Sequence, residues 1–234
     1  MLVENWMNRN VVLIDANRSL LDAKRLFRKH DVRLLPVMKN GCLVGVLTQD
    51  DIMRAFGSEA TNLKAHEIAF ILGEIAVEEV MSKDTITIPS DFTIEETAEV
   101  LLKHNISGAP VLDSKGRIVG TISRRELFRV LITLAGFSKK GMKFALQIRD
   151  KKGSIMQVEN IVRKHGGRVA SILTSYEGGP AGYRTLFIKA YGVDRERLSE
   201  LIEALKSKAE LLYMIDRKEN IRQIYKRPDE EELM

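Results

Sequence analysis

Two short stretches of the chain carry a hydroxyl and a carboxylate three residues apart, where an apolar run leads into a polar helix start. The first contains Thr48 and Asp51, and the second contains Ser123 and Glu126. In this pattern the hydroxyl can cap a helix and the acidic side chain can complete a capping box. The same helix start offers free N–H groups that suit a phosphate, and its carboxylate can accept hydrogen bonds from two neighbouring hydroxyls. The spacing therefore leaves helix capping and ligand binding both open.

The other reactive side chains do not form catalytic or metal-binding sets. His66 stands next to Glu67, but no second His or Cys lies at ligand spacing. The remaining histidines lie near predicted helix ends, where the helix dipole favours cations: His30, His104 and His165. No nucleophile is paired with a base. We therefore expect a protein that is not an enzyme, with no catalytic residues, no metal site and no catalytic cofactor.

Composition indicates an ordinary globular chain. Hydrophobic residues make up 44% and charged residues 29% of its 234 residues. The apolar runs are too short to span a bilayer, and the N-terminal residues lack the pattern of a signal peptide. The single cysteine, Cys42, allows no internal disulfide. We expect a cytoplasmic protein that does not associate with membranes.

The net charge of +5 permits binding to a polyanion. Lysine and arginine are nevertheless spread along the chain, and aromatic residues, at 6%, give little material for stacking bases. Nucleic acid is therefore not the expected partner. A nucleic-acid-associated regulator that uses this basic surface remains the alternative function.

The first half of the chain contains two copies of one sequence repeat. Lys29-His30 matches Lys103-His104, and Pro36-Val37 matches Pro110-Val111, at one constant offset. Each copy predicts a short strand, a helix, a strand, a tight turn, another strand and a final helix. The corresponding ranges in the two copies are 11–14 and 85–88 for the first strand, 33–37 and 108–112 for the second, and 50–56 and 125–134 for the final helix. Two copies of this length indicate duplicated domains rather than a solenoid.

This element order, with a hydrophobic-Pro-Val strand and a Gly-x-x-Thr/Ser turn in both copies, resembles the CBS domain. Two such domains in tandem resemble a Bateman module, and the resemblance covers about residues 1–135. It implies a first CBS domain at 1–60, a helical connector at 61–76 and a second CBS domain at 77–135.

The CBS resemblance implies two composite sites for an adenosine nucleotide (AMP, ADP or ATP) or a derivative, which acts as a regulatory ligand. In the first site the ribose and phosphate would be held by Thr48 and Asp51 of one repeat, facing five residues of the other: Thr85, Ile86, Ser107, Gly108 and Ala109. In the second site Ser123 and Glu126 would be joined by Val11, Val12, Arg33 and Leu34, with Arg33 and Arg124 as candidate phosphate partners. Glu126 is one methylene longer than Asp51, so we expect the first turn to bind more strongly than the second.

The last third of the chain has a different pattern. After a linker at 136–141, alternating and helical periodicities predict the order β-α-β-β-α-β over 142–217, a ferredoxin-like order. Asp194 is positioned to cap the second of its helices. The order, with Asp-x-x-Gly after the first strand, resembles the ACT domain, which implies an amino-acid site at Asp150, Gly153, Ser154 and Ile155. A purely dimerising domain is the alternative, and residues 218–234 are expected to form a C-terminal tail.

The fold class is therefore α/β and α+β, a tandem CBS-domain pair followed by a ferredoxin-like ACT domain. At this length the organisation resembles the AcuB-type acetoin-utilisation family. That resemblance implies a cytoplasmic, non-catalytic regulatory protein that senses an adenosine compound and regulates acetoin or acetate metabolism, and it does not identify the protein target. The CBS resemblance implies repeats that pair into flat discs, and the ACT-like sheet has edges that can pair, so we also expect a homodimer.

Overall fold

The computed structural model of the protein describes residues 1–56 and 65–226. The chain forms two compact units, Met1–Val130 and Leu131–Met234. Within the described residues, no helix has both the length and the apolar character needed to cross a membrane.

The first repeat is a small three-stranded sheet covered by helices. Its elements are β1 (Ile14–Asp15), α1 (Leu20–His30), β2 (Leu34–Lys39), β3 (Cys42–Thr48) and α2 (Gln49–Phe56). The sheet has the order β1-β2-β3, with β2 parallel to β1 and antiparallel to β3. Asn40 and Gly41 both have positive φ, as the tightest hairpin turns require. Ser19 caps α1 by accepting a hydrogen bond from the Asp22 N–H.

The second repeat has the same architecture. Its elements are β4 (Ile88–Pro89), α5 (Ile94–Lys103), β5 (Gly108–Leu112), β6 (Ile118–Ser123) and α6 (Arg124–Leu134). The sheet order is β4-β5-β6 with the same strand directions. Thr93 and Glu96 form the capping box that the sequence indicates at the start of α5. Strands β1 and β4 are shorter than predicted, because only two residues of each pair with the neighbouring strand.

Two helices connect the repeats, α3 (Ala65–Glu74) and α4 (Val77–Val80). The first of them falls in the predicted connector at 61–76, of which residues 61–64 lie outside the described residues.

The two repeats exchange the segments that complete their cores. Val3 and Met7, from the start of the chain, are buried in the core of the second repeat, whereas Val77 is buried in the core of the first. Backbone hydrogen bonds fix each exchange, between Asn8 and Thr121 on one side and between Ser82 and Val46 on the other. Residues 1–10, placed by sequence in the first CBS domain, therefore pack largely with the second, and residues 77–82 pack with the first.

The second unit is a five-stranded antiparallel sheet with two helices. Its elements are β7 (Met142–Arg149), α7 (Ser154–Lys164), β8 (Arg168–Ser175), β9 (Tyr183–Tyr191), α8 (Leu198–Lys206), β10 (Glu210–Asp216) and β11 (Ile221–Ile224). The strand order is β11-β10-β7-β9-β8. Both helices contribute to a single core, which contains Val158 and Val162 of α7 and Leu201 and Leu205 of α8.

Two details of the second unit differ from the sequence expectations. Residues 221–224, expected in the tail, form β11, which pairs with β10 from Ile221 opposite Asp216 to Ile224 opposite Tyr213. The prediction that Asp194 caps α8 is wrong, because the helix begins later, after Arg197. Asp194 instead accepts a hydrogen bond from the Glu196 N–H in the preceding turn. The acidic residues 229–232 of the expected tail lie outside the described residues.

Candidate functional site

The first turn places Thr48 at the end of β3 and Asp51 in the first turn of α2. The Asp51 Oδ2 atom accepts hydrogen bonds from the Thr48 N–H at 2.8 Å and from the Thr48 hydroxyl at 2.7 Å. The Asp51 N–H in turn donates to Thr48 Oγ1 at 3.2 Å. The other carboxylate oxygen, Oδ1, lies 2.5 Å from Arg54 Nη2. Both oxygens of this buried carboxylate are therefore engaged, in a reciprocal cap and an ion pair.

The second turn is built in the same way from a longer acid. Glu126 Oε2 accepts hydrogen bonds from the Ser123 N–H at 3.0 Å and from the Ser123 hydroxyl. Both residues are buried. The additional methylene of Glu126 thus does not prevent the acid from reaching the position that Asp51 occupies in the first repeat. Capping accounts for the bonds within both turns, and a ligand would have to use the remaining lone pairs of each carboxylate.

A cavity of about 520 Å³ opens beside the second turn and is lined by residues from both repeats. Four residues expected at this composite site line it, namely Arg33 and Leu34 of the first repeat and Ser123 and Glu126 of the second. Leu34 begins β2, the central strand of the first repeat, while Glu126 lies in the first turn of α6, so one strand and one helix start position the site. The cavity is large enough for a ligand of nucleotide size.

Several residues of this cavity were not identified from the sequence. They come from the N-terminal segment, from the end of α1 and from α6: Asn8, Arg9, Asn10, His30, Asp31, Arg125 and Arg129. The N-terminal segment reaches the cavity because of the segment exchange, through the pairing of Asn8 with Thr121. In the sequence, Val3-Glu4-Asn5-Trp6-Met7 matches Val77-Glu78-Glu79-Val80-Met81, which shows that the segment is repeated but not which repeat it contacts.

Three residues expected near the second turn do not line the cavity. Val11 and Val12 precede β1, and Val12 packs against the core of the first repeat instead. Arg124 is exposed, and its N–H donates to the carbonyl of Ser107.

The structure places the partners expected for Thr48 and Asp51 in the second repeat. Gly108 and Ala109 lie in β5, where they pair with Ser123 and Ile122. A Cβ at Gly108 would approach the Ile122 carbonyl oxygen to 2.7 Å, so its own sheet already requires glycine there. Thr85 and Ile86 precede β4 and are partly buried, as is Ser107. Among the described residues, no hydrogen bond joins Thr48 or Asp51 to these five.

In the second unit, Asp150, Gly153 and Ile155 line an open cavity of about 620 Å³ at the start of α7. Gly153 has φ +84° and precedes the first residue of the helix, Ser154. Arg184 from β9, which was not identified from the sequence, also lines this cavity. Its guanidinium lies 3.5 Å from Asp150 Oδ1 and donates to Ser154 Oγ at 3.3 Å, so one arginine connects the expected residues.

The described residues contain no cluster of three His, Cys, Asp or Glu side chains that could hold a metal ion. Cys42 is exposed in the hairpin of the first repeat.

Two copies of a β-α-β-β-α unit, each with a capped Gly-x-x-Thr/Ser turn at the start of its final helix and both lining one cavity, define a tandem pair of CBS domains. Residues 3–58 and 77–133 match the CBS domain family. The chain is also 30% identical over 155 residues to the uncharacterized protein MJ1426 of Methanocaldococcus jannaschii, a match that covers 56% of this chain and 92% of that protein. The chain belongs to the CBS-domain family.

Some relatives carry the CBS pair as part of a larger protein. The L-aspartate semialdehyde sulfurtransferase of M. jannaschii is 30% identical over 130 residues, which are 55% of this chain and 23% of the enzyme. Among solved structures, the CBS domain pair of protein MJ0100 in complex with 5′-methylthioadenosine and S-adenosyl-L-methionine has 27% identity and a TM-score of 0.48, and the match covers 59% of this chain and 98% of that one. A putative acetoin utilization protein (AcuB) from Vibrio cholerae has 27% identity and a TM-score of 0.46 over 59% and 95% of the two chains.

Proposed function

We propose that this protein is a regulatory protein whose CBS pair binds an adenosine nucleotide or derivative without transforming it. The observation that carries the proposal is the cavity beside the second turn. There, Ser123 and Glu126 of one repeat meet Arg33 and Leu34 of the other around about 520 Å³. A ligand held by both repeats would bind best when they adopt one particular arrangement, which is the property that a sensor needs.

The lining offers each part of such a ligand a complementary group. The Glu126 carboxylate can accept hydrogen bonds from ribose hydroxyls in addition to those from Ser123, because each of its oxygens has two lone pairs. Leu34 supplies apolar surface. The arginines supply charge-assisted and bidentate donors for phosphate oxygens.

The other proposed nucleotide site is the one at Thr48 and Asp51 in the first turn. Its partners from the second repeat are Thr85, Ile86, Ser107, Gly108 and Ala109. The proposal of this site is supported by the similarity of the two turns, because in each turn the acidic side chain accepts hydrogen bonds from the N–H and the hydroxyl of the residue three positions earlier. A ligand at this site would share the Asp51 carboxylate with Thr48 and Arg54, which already engage both of its oxygens.

Native mass spectrometry of the purified chain, followed by calorimetry with adenosine, AMP, ADP and ATP, tests the proposal. We expect at least one adenosine compound to bind, and chromatography of the recovered ligand to show it unchanged. Absence of heat and of any thermal shift with all four compounds would overturn the nucleotide proposal, and steady turnover would overturn the non-catalytic role.

For the second unit we propose an ACT-type regulatory domain. Its support is the element order β-α-β-β-α-β and the placement of Asp150, Gly153 and Ile155 around one cavity. The Asp150 carboxylate suits an amino group, and Arg184 together with the N–H groups at the start of α7 suits a carboxylate. A thermal-shift screen of the twenty amino acids, repeated on Arg184→Gln, tests for amino-acid binding. If no amino acid shifts either protein, the dimerising role is the one that remains.

The resemblance to the AcuB-type family extends the proposal to a cytoplasmic homodimer that regulates acetoin or acetate metabolism. Growth of a deletion strain on acetoin and on acetate, compared with growth on glucose, tests this pathway. Equal growth of the deletion and parent strains on all three carbon sources would contradict it.

A further inference from the structure

The cavity beside the second turn is rich in basic side chains. Five of its lining residues are basic: Arg9, His30, Arg33, Arg125 and Arg129. Two carboxylates oppose them, those of Glu126 and Asp31. Glu126 is buried and accepts a hydrogen bond from Ser123 at the helix start, whereas Asp31 is exposed and contacts Arg125 of the other repeat. A predominantly cationic lining suits a ligand that carries several negative charges.

Asp31 and Arg125 form an ion pair that crosses from one repeat to the other. Asp31 Oδ2 lies 3.0 Å from Arg125 Nη1, although the two residues are 94 positions apart in the chain. The pair is exposed, with 73% of the Asp31 side chain and 49% of the Arg125 side chain accessible. Such a pair contributes little to stability, so a stronger anion can replace the carboxylate at low cost.

The backbone at Asp31 does not require a carboxylate. Asp31 is the C-cap of α1 and has φ +48°, a left-handed conformation that asparagine adopts at least as readily. A negative charge at a helix C-terminus is disfavoured by the helix dipole. Neither capping nor the dipole therefore accounts for the charge of Asp31, and within the described residues its hydrogen-bonding partner is Arg125.

We infer that this cavity binds an adenosine ligand with two or more phosphate groups, and that Asp31 is an internal counter-ion which the phosphate chain displaces from Arg125. The inference rests on the proposed function, because it places the ribose beside Ser123 and Glu126. A phosphate offers Arg125 bidentate, charge-assisted hydrogen bonds and carries more charge than the carboxylate that it replaces. A neutral nucleoside leaves the ion pair intact and gains nothing from the cations. Asp31 thereby makes the affinity of the cavity depend on the negative charge of the ligand.

Calorimetry at low ionic strength with adenosine, ADP and ATP tests this inference on the full chain. We expect ADP and ATP to bind at least about tenfold more tightly than adenosine. Asp31→Asn keeps the backbone and the side-chain volume while it removes one negative charge from the cavity. It should therefore tighten ADP binding about threefold to tenfold and leave adenosine binding within about twofold of its original affinity.

Two further variants provide the comparison. Arg125→Gln should weaken ADP binding about tenfold and leave adenosine binding nearly unchanged. Asp91→Asn changes the net charge as Asp31→Asn does, at an exposed position that does not line the cavity, and should match the original protein. Circular dichroism of each variant establishes that it is folded before binding is measured.

The outcomes separate the inference from the proposed function. Equal affinities for adenosine and ADP, or an equal response of both ligands to Asp31→Asn, would overturn the inference and leave adenosine binding standing. Failure of every adenosine compound to bind would overturn the proposed function. Tripolyphosphate then tests the anion subsite alone, because its binding should still be tightened by Asp31→Asn if Asp31 is the counter-ion, and no tightening would overturn that role as well.

Discussion

Met81 lies against Gly45 so closely that a Cβ added to the glycine would come within 2.5 Å of the methionine sulfur. Met7 has the same relationship to Gly120 in the second repeat, also at 2.5 Å. In both repeats the neighbouring carbonyl oxygen of the exchanged segment, at Ser82 or Asn8, would lie within about 3 Å of that Cβ. Each glycine therefore admits the segment that completes its repeat.

Gly45→Ala should destabilise the first unit, because the added methyl group must displace both the Met81 side chain and the Ser82 backbone. We expect a loss of about 1–3 kcal/mol in the free energy of unfolding. Gly73→Ala is the matched control, since it lies in α3 and a Cβ there meets nothing within 4 Å. That variant should be neutral or stabilising by up to about 1 kcal/mol. Similar urea midpoints for the two variants would contradict the proposed packing role of Gly45.

Comparison of Asp51→Ala with Glu126→Ala ranks the two nucleotide sites. The sequence favours Asp51, because its turn has the complete family pattern. The structure supplies an argument for Glu126, since its carboxylate borders a cavity rich in arginine whereas Asp51 is also paired with Arg54. We expect Glu126→Ala to weaken ADP binding about tenfold or more, and Asp51→Ala to weaken it less. A larger loss in Asp51→Ala, measured by calorimetry, would restore the order that the sequence indicates.

Asp216→Asn should reveal a pH-dependent ion pair in the second unit. Burial of Asp216 raises the pKa of its carboxyl, but the ion pair with Arg195 at 2.7 Å and hydrogen bonds from the N–H groups of Lys218 and Glu219 outweigh burial, and the net pKa is lowered from 3.8. Since the folded-state pKa is depressed, the stabilisation is complete above the unfolded-state value and is lost as the pH falls through the folded-state value.

We expect Asp216→Asn to lower the free energy of unfolding by about 1–3 kcal/mol at neutral pH, because a neutral amide at the buried position 216 cannot form an ion pair with Arg195. Thermal unfolding of both proteins across pH should show a constant difference between about pH 7 and pH 5, which shrinks below about pH 4. A difference that persists unchanged in strong acid would mean that the charge of Asp216 is not its source.

The homodimer proposal leads to a test on the helices that end the two repeats. Met53 in α2 and Phe128 in α6 occupy equivalent positions and are both exposed, at 73% and 62%. Exposed apolar residues of this size suit an interface between copies. Light scattering should give twice the chain mass, and Phe128→Glu should halve the measured mass. Leu102→Glu, at an exposed apolar position on α5 and not on either of the helices that end the repeats, is the control and should leave the dimer intact. A monomeric mass for the original protein at micromolar concentration would refute the proposal.

Interactions within one helical turn could be predicted from the sequence. The capping pairs at Ser19 and Thr93 form as the spacing indicates, because the atoms involved lie within one helical turn. The prolines of the repeats are an exception, because proline favours strand edges and termini, whereas Pro36 and Pro110 each lie inside the central strand of a repeat, opposite Val46 and Thr121. Proline has no N–H to donate, and both positions tolerate it because the carbonyl of the opposing residue accepts a hydrogen bond from the exchanged segment instead, from the N–H of Ser82 or of Asn8.

Contacts between distant parts of the chain were not predictable in the same way. Asp31 and Arg125 meet only because the two repeats face each other, and neither belongs to the turn pattern that marks the site. Arg184 reaches Asp150 from a strand whose alternation predicts burial but not the direction of a long cationic side chain. Residues 7–10 line the cavity that the two repeats share, and they reach it through an exchange of segments that the sequence similarity of the repeats does not determine.

The exchange of segments also sets the order in which the chain can fold during synthesis. The first repeat lacks Val77 and Met81 until the ribosome has passed that point, although its own sheet is complete at Thr48. The N-terminal segment must in turn wait for β6 before Asn8 can pair with Thr121. Neither repeat then completes its core alone, and the pair is expected to fold as one cooperative unit once β6 has been synthesised, with the slow kinetics that contacts of long sequence separation impose.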